Sequence, residues 1–581
     1  MTFRILLALG CLLFAGTASA QEFRPAPEAA SGANEKTLVS AKRRMVVAAE
    51  PLAAEAGLEI LRKGGSAADA AVATEMVLGL VEPQSSGLGG GALITLWDAK
   101  SRAIATIDGR ETAPAAAKPD RFLGKDGKPL AFETAVLSGL SVGVPGALRA
   151  LYAAHEKLGK LPWKSLFEPA IKLAEEGFPV SPRLAVLLEK EKPEDFTPEA
   201  RAYFFEGGTK PRVKGELLKN PAYAATLRAI ADKGPDAFYT GEIAETIAKA
   251  VQDAQSIHGD MTVADIAGYV ARERPPVCVD YRARKICGVG PPSSGALTVG
   301  ATLKLIEPFP QVQGPAAAMT APALHIIAEA EKLAYADRNR YIADPDRIPV
   351  PSGLLDDAYL AARRKLIDPS KAMQSVEPGL PPGLAKKTFG ADATYEVPGT
   401  TQVSIIDDDG NALSMTATIE SAFGSHLWAK GFLLNNELTD FSFKPVDDHG
   451  AAIANAVEGG KRPRSSMAPT IVLGADGTPE IVTGSPGGSQ IILYVVKTLV
   501  AMIDWGMNAQ QASSLANFGS QGGAFLAEYP LPGQWPMHDL TSYGQAITGA
   551  TMTSGVNTIA RRGGVLEGGS DPRREGVAVG D

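Results

Sequence analysis

From residue 48 to residue 83, apolar positions recur every three to four residues through "AAEPLAAEAGLEILRKGG" and "SAADAAVATEMVLGLVEP". That period predicts two amphipathic helices, the first stopped at Gly64-Gly65 and the second capped by Ser66. The period then changes. In "GLGGGALITLWDAKSRAIATIDGRETAP", β-branched and aromatic residues alternate on either side of a polar turn from Asp98 to Ser101, which predicts two strands. From Val144 to about Tyr341 the pattern is mostly helical, interrupted by "VCVDYRARKICGV" and "GPPSSGALTVGATLKLIEP". Residues 369–399 are rich in Pro and Gly and have no period, so an exposed, mobile segment is expected there. Strand-like runs return in "TQVSIID", "NALSMTATI" and "TIVLGADGTPEIVTGS", before a helix through "QIILYVVKTLVAMIDW". Helices in the early and late thirds with strands between them predict an α+β chain, a four-layer αββα sandwich.

Two patterns within these elements bear on pairing. If Arg282-Ala283 is a two-residue turn, residue 281 faces 284 and Cys278 faces Cys287. Directly opposed cysteines can lie at disulfide distance, and two buried free thiols are the alternative. In "TTQVSIIDDDGNALSMTATIE", a two-residue turn at Asp409-Gly410 sets Thr418 opposite Thr401. A three-residue loop, 408–410 with a left-handed glycine, sets it opposite Thr400.

Composition narrows the class. With 581 residues, 45% hydrophobic and 21% charged, the chain is globular rather than disordered or fibrous. A net charge of -8 without clustered Lys and Arg argues against nucleic acid or a polybasic membrane contact and leaves a small-molecule substrate. The N-terminus "MTFRILLALGCLLFAGTASAQEF" has one basic residue, Arg4, then an apolar run and Ala18-Ser19-Ala20. This is the layout of a signal peptide over residues 1–20, and it implies a periplasmic or secreted protein. The run is shorter than the ~20 residues of a spanning helix, so no stable membrane insertion is expected. Lipidation at Cys11 is a minor alternative, because Ala-Leu-Gly before it is a poor lipoprotein site. Export would permit the disulfide.

No metal and no cofactor are expected. The histidines at 155, 258, 325, 426, 449 and 538 stand singly, with no HExxH or paired CxxC, and the glycine clusters fit no nucleotide fingerprint. "GSPGGSQ" is a run of bare backbone amides before a helix, as an oxyanion hole requires. The Thr400-Thr401 pair follows Pro398 and Gly399, which are punctuation rather than strand residues. A threonine hydroxyl needs a base beside it, and a threonine that becomes an N-terminus supplies one as its own α-amine, which titrates near ~7.7–8.0. Otherwise the two threonines are simply β-formers.

"TTQVSIIDDDGNALSMTATIESAFGS", "GFLLNNELTDFS", "GKRPRSSMAPT", "VTGSPGGSQI", "DGRETAP", "FYTGEIA", "PPSSG" and "GGSDPRREG", in collinear order from about residue 38 onward, resemble the gamma-glutamyltransferases, members of the N-terminal nucleophile hydrolases. The resemblance implies a precursor cut between Gly399 and Thr400 into a large subunit, 21–399, and a small subunit, 400–581, that stay together. It implies Thr400 as nucleophile toward a γ-glutamyl amide such as glutathione, with the glutamyl group passed to water or to an amino acid or dipeptide acceptor. It assigns Thr418 to orienting Thr400 and Gly487 and Gly488 to the oxyanion hole. Arg110, Ser465 and Ser466 match the grip on the substrate α-carboxylate, a sensible use of a guanidinium fork, and Glu437 and Asp440 match the acids that receive the α-ammonium.

Two departures stand out. Glu420 replaces the family's usual Asn and Gln402 replaces a His. A third carboxylate beside Glu437 and Asp440 would raise the pKa of its neighbours, unless Glu420 turns away to a nearby Arg or Lys. In the lid-like stretch "SFKPVDDHGAAIANAVEGG" there is no aromatic residue beyond Phe443, so lid closure is expected to be weak. An amidase of the same fold acting on other acyl groups, such as dicarboxylic side chains of β-lactams, is one competing reading. An unprocessed, inactive glutamate- or peptide-binding protein is another.

Overall fold

The computed structural model describes residues 35–384, 389–394, 396–397, 399–529 and 535–581. The expected signal peptide, residues 1–20, lies outside them. Two seven-stranded sheets form the middle layers. In the first the order is Val577–Gly580, Met45–Ala48, Thr400–Ile406, Ala412–Thr418, Gly91–Asp98, Ala103–Gly109, Arg272–Arg274. In the second it is Val39–Ala41, Val565–Ser570, Asn557–Arg562, Pro479–Thr483, Thr470–Leu473, Arg284–Gly288, Val277–Tyr281. Neighbours are antiparallel throughout both sheets.

Helices cover both outer faces. Pro51–Arg62 and Ala67–Val81, with Ala147–Leu158, pack on the first sheet through Val403, Ile405, Leu413 and Met415. The second is covered by Gly295–Ile306, Ala321–Tyr341 and Ile491–Ile503. This is the four-layer αββα arrangement. The Ser66 hydroxyl accepts from Asp69 N while the Asp69 carboxylate accepts from Ser66 N, a reciprocal cap that fixes the second helix where the pattern placed its start.

Each residue of Thr400–Ile406 and Ala412–Thr418 is buried. One face carries the apolar residues toward the helices. The other turns polar groups toward the second sheet, where Ser404 Oγ donates to Asn557 O (2.8 Å) and Ser414 Oγ donates to Thr483 O (2.8 Å). Buried hydroxyls at such a seam need these partners.

At the edge of the second sheet, Arg282 and Ala283 take φ of +50° and +58° in a two-residue turn. Tyr281 therefore pairs with Arg284 and Cys278 with Cys287, whose sulfurs are bonded. The segment 369–399 behaves as its composition suggests only in part. Leu380 is exposed, but Phe389, Asp392, Glu396 and Val397 are buried. Phe389 packs on Ala343 and Ala454, and the two acids find guanidinium partners; such remote contacts leave no local period to read.

Candidate active site

Asp407 decides the geometry at the mouth of the hairpin. Its N–H donates to Asn411 O (3.0 Å) and its carboxylate accepts from the amides of Asp409 and Asn411, closing a three-residue loop, 408–410. Gly410 sits at φ +84°, the left-handed position this loop needs. The register then sets Thr400 opposite Thr418. Thr418 Oγ1 donates to the Gly399 carbonyl oxygen (2.6 Å) and accepts from Glu420 N (2.7 Å), so one hydroxyl both polarises the carbonyl before Thr400 and is itself held in place. Gly399 passes so close to Glu420 that an added Cβ would lie 1.8 Å from its carbonyl oxygen.

Other groups secure the strand start. Arg574 Nη1 donates to the Thr400 carbonyl (2.7 Å), and Thr401 Oγ1 donates to Glu82 Oε2 (3.0 Å). Gln402 accepts from Thr416 Oγ1 (2.7 Å) and donates to Ser414 Oγ (2.9 Å), a structural use of the amide beneath the site. Gly487 and Gly488, at φ +141° and +55°, form the turn that leads into Ile491–Ile503. Beside them Ser489 N donates to the Glu396 carbonyl (3.2 Å), so the chain leading to Gly399 lies across this turn.

Arg110 follows the strand Ala103–Gly109 and is fully buried. Its fork donates to Glu437 and Asp440, and also to the carbonyls of Arg464 (2.8 Å) and Pro463 (3.2 Å). Arg110, Glu437 and Asp440 are thus brought together. Ser465 and Ser466 follow in the chain but have other contacts: Ser465 Oγ accepts from Met467 N (3.1 Å), and Ser466 Oγ accepts from Arg338 Nη2 (2.5 Å). Glu420 lies at φ +75° and accepts from Val397 N (3.1 Å). It faces the acids: ligand oxygens of Glu420, Glu437 and Asp440 lie within 4.8 Å of one another.

Burial, followed by the charges of Asp440 and Glu437, pushes the Glu420 carboxyl well above its ordinary range. Burial likewise raises Asp440 and Glu437, although Arg110 opposes it at both. Behind them Glu111 is also raised, by burial and then by Glu437. Each of these carboxyls thus ionises less readily than an exposed one, even with Arg110 bonded to Glu437 and Asp440.

Sequence reasoning missed Arg338, Asp392, Glu396 and Arg464. Arg338 donates through Nη2 to Glu396 Oε1, and Arg464 Nε lies 3.4 Å from the same oxygen. Burial alone would raise Glu396, but Arg338 and Arg464 outweigh it and hold this carboxyl below its usual range. Arg464 Nη1 is 2.8 Å from Asp392 Oδ2. Arg464 stands inside "RPRSSM", next to the serines that were singled out, whereas no sequence signal marks Arg338. A cavity of about 560 Å³ adjoins the site, lined among others by Phe132, Val397, Thr439, Phe443, His449 and Ile453. Phe443 stacks on Phe122 at 4.6 Å between ring centres.

An αββα sandwich with a threonine at the mouth of a central strand, its preceding carbonyl held by the threonine opposite, defines the class of N-terminal nucleophile hydrolases. Residues 53–581 match the family described as Gamma-glutamyltranspeptidase. The chain is 39% identical over 531 residues to the glutathione hydrolase proenzyme of Escherichia coli (strain K12), covering 90% of this chain and 88% of that protein. It is 32% identical over 566 residues to the Acylase ACY 1 proenzyme of Pseudomonas sp. (strain SE83), covering 96% of each. The crystal structure of cephalosporin acylase from Bacillus halodurans matches with a TM-score of 0.81 at 28% identity, over 94% of this chain and 97% of that one. The chain belongs to the gamma-glutamyltranspeptidase family. It is an enzyme of γ-glutamyl hydrolysis and transfer, made as a precursor and acting on small molecules, and the binding-protein reading is set aside. Among the described residues no helix is long and apolar enough to cross a membrane.

Proposed function

We propose that the chain cuts itself between Gly399 and Thr400 and that Thr400 then cleaves γ-glutamyl amides such as glutathione. The observation that carries this reading is the hydrogen bond from Thr418 Oγ1 to the Gly399 carbonyl, with Thr400 directly across the strand pair. In the first step Thr400 Oγ1 adds to that carbonyl and the C–N bond breaks, leaving Gly399 as an ester on the threonine and freeing its α-amine. Water hydrolyses the ester and gives a large subunit ending at Gly399 and a small one starting at Thr400.

The α-amine then takes the Thr400 hydroxyl proton as the oxygen adds to the γ-carbonyl of a donor. Amides of Gly487 and Gly488 receive the negative charge on the carbonyl oxygen, and the amine leaves with the proton. Water completes hydrolysis of the glutamyl ester, while an amino acid or dipeptide acceptor completes transfer. Glu420, Glu437 and Asp440 receive the substrate ammonium; Arg110, Ser465 and Ser466 lie on its carboxylate side. The signal-like N-terminus supports export to the periplasm or medium.

A denaturing gel with N-terminal sequencing of the smaller band, and assays of γ-glutamyl anilide with and without a dipeptide acceptor, test both halves. Two bands, the smaller starting at Thr400, and release of the anilide are expected; one intact band with no turnover rejects the proposal. The likeness to cephalosporin acylase favours a second reading, an acylase for dicarboxylic acyl amides. Preference for a glutaryl over a γ-glutamyl anilide selects that reading.

A further inference from the structure

The amides of Gly487 and Gly488 can receive an oxyanion only if their turn is held in one conformation, and a glycine pair does not select one by itself. Gly487 sits at φ +141°, which side chains rarely adopt. Two buried tyrosines impose this shape from helices that cover the second sheet. Tyr335, in Ala321–Tyr341, donates through Oη to the Ser489 carbonyl at 2.6 Å. Tyr494, in Ile491–Ile503, donates to Gln490 Oε1 at 2.5 Å, and Gln490 N closes the turn on the Gly487 carbonyl at 3.1 Å. The Tyr494 ring also lies against the turn, where a Cβ on Gly487 would meet its Cε2 at 2.4 Å. Burial pushes the Tyr335 phenol well above its ordinary range, so it stays a proton donor through neutral pH. The Gly399 carbonyl is handled differently. In the uncut chain it is received by the Thr418 hydroxyl at 2.6 Å, and strand pairing, not the glycine turn, sets that contact.

We propose that Tyr335 and Tyr494 are positioning residues for turnover and not for cutting. Their hydroxyls aim the Gly487 and Gly488 amides at the carbonyl oxygen of the donor, while self-cleavage relies on Thr418. The inference rests on the γ-glutamyl reading. Without the Tyr335 hydroxyl the Ser489 carbonyl loses its buried donor, and the turn relaxes toward other partners. The cost then falls where negative charge develops, in the transition state, and not on the bound donor.

Tyr335→Phe, which removes a single oxygen, tests this in three measurements. Conversion of the precursor to two bands is expected at the parental rate. With γ-glutamyl p-nitroanilide, kcat is expected to fall roughly tenfold with KM little changed. The third measurement compares two inhibitors of the processed enzyme, glutamate and its analogue with a boronic acid in place of the γ-carboxyl. The boron accepts Thr400 Oγ1 while the α-amine takes the hydroxyl proton, and the adduct is a tetrahedral anion like the intermediate. Affinity for the boronate is expected to fall by about the same factor as kcat, with that for glutamate unchanged. A parental kcat overturns the inference. So does an equal loss for both inhibitors, or cutting slowed as much as turnover, since the hydroxyl would then support the fold in general. Tyr494→Phe is expected to show the same pattern to a smaller degree, and it decides by the same criteria if Tyr335→Phe does not fold. Failure of both to fold assigns the hydroxyls to stability alone and overturns the inference as well. A parent enzyme that does not release the glutamyl anilide refutes instead the γ-glutamyl reading, and the kcat comparison then passes to the glutaryl anilide.

Discussion

At the scale of single residues, Thr400 and Glu420 carry the sharpest expectations. On the proposed mechanism Thr400→Ala removes the hydroxyl that serves both cutting and turnover, so a single uncut band without anilidase activity is expected; a variant still cut at 399–400 would place the nucleophile elsewhere. Glu420 is pushed up first by burial and then by Asp440 and Glu437. In the empty site it is therefore protonated in the acid range, and an incoming ammonium favours the ionised form. Donor binding then strengthens as pH rises from the ordinary carboxylate pKa of ~4.3 through the raised one, and KM falls over that window. Glu420→Asn, which removes the titrating group, is expected to flatten the dependence of KM on pH with kcat little changed. A KM profile identical to that of the parent removes Glu420 from the ammonium pocket.

At the scale of elements, the two hairpins make separate statements. Gly399 enters the Thr400 strand past the Glu420 carbonyl, where a Cβ would lie 1.8 Å from the oxygen. Gly399→Ala must displace one strand end, and self-cleavage slowed by at least about tenfold is expected from the lost alignment on Thr418, read as the rate of band conversion. Cutting at the parental rate would show that this carbonyl is not held as described. The Cys278–Cys287 bond ties the edge strand Val277–Tyr281 to its neighbour. In exported protein that has lost the expected signal peptide and with it Cys11, thiol titration under denaturing, non-reducing conditions should find no free sulfhydryl. The double change to serine should lower stability by about 2–3 kcal/mol in denaturant titrations, the loop-entropy estimate for so short a span.

At the scale of the whole molecule, the expected cut divides the chain without dividing the fold. Thr400–Ile406 is paired with Met45–Ala48, and Ala412–Thr418 with Gly91–Asp98, so each side of the cut supplies central strands of the same sheet. The two fragments should co-elute on size exclusion under native conditions and separate only in denaturant. Separation without denaturant would contradict this shared core.

The sequence by itself determined what local pattern and turn chemistry can encode. The helices around Gly64-Gly65, the strands on either side of residues 98–101 and the opposition of Cys278 to Cys287 all follow from periodicity and a turn length. The candidate roles of Thr400, Gly487, Gly488, Glu437 and Asp440 came from the family resemblance of their motifs, not from periodicity or spacing. Pattern left two hairpin registers open at Thr418, and only the capping of the loop by Asp407 chose between them. The tertiary structure alone decided the charge pairing. Arg110 meets acids more than three hundred residues away, and Arg338, Arg464 and Glu396 converge from a helix, a loop and an irregular segment. Coulomb attraction between buried groups depends on distance in space and on exclusion of water, and neither is written in the order of residues along the chain.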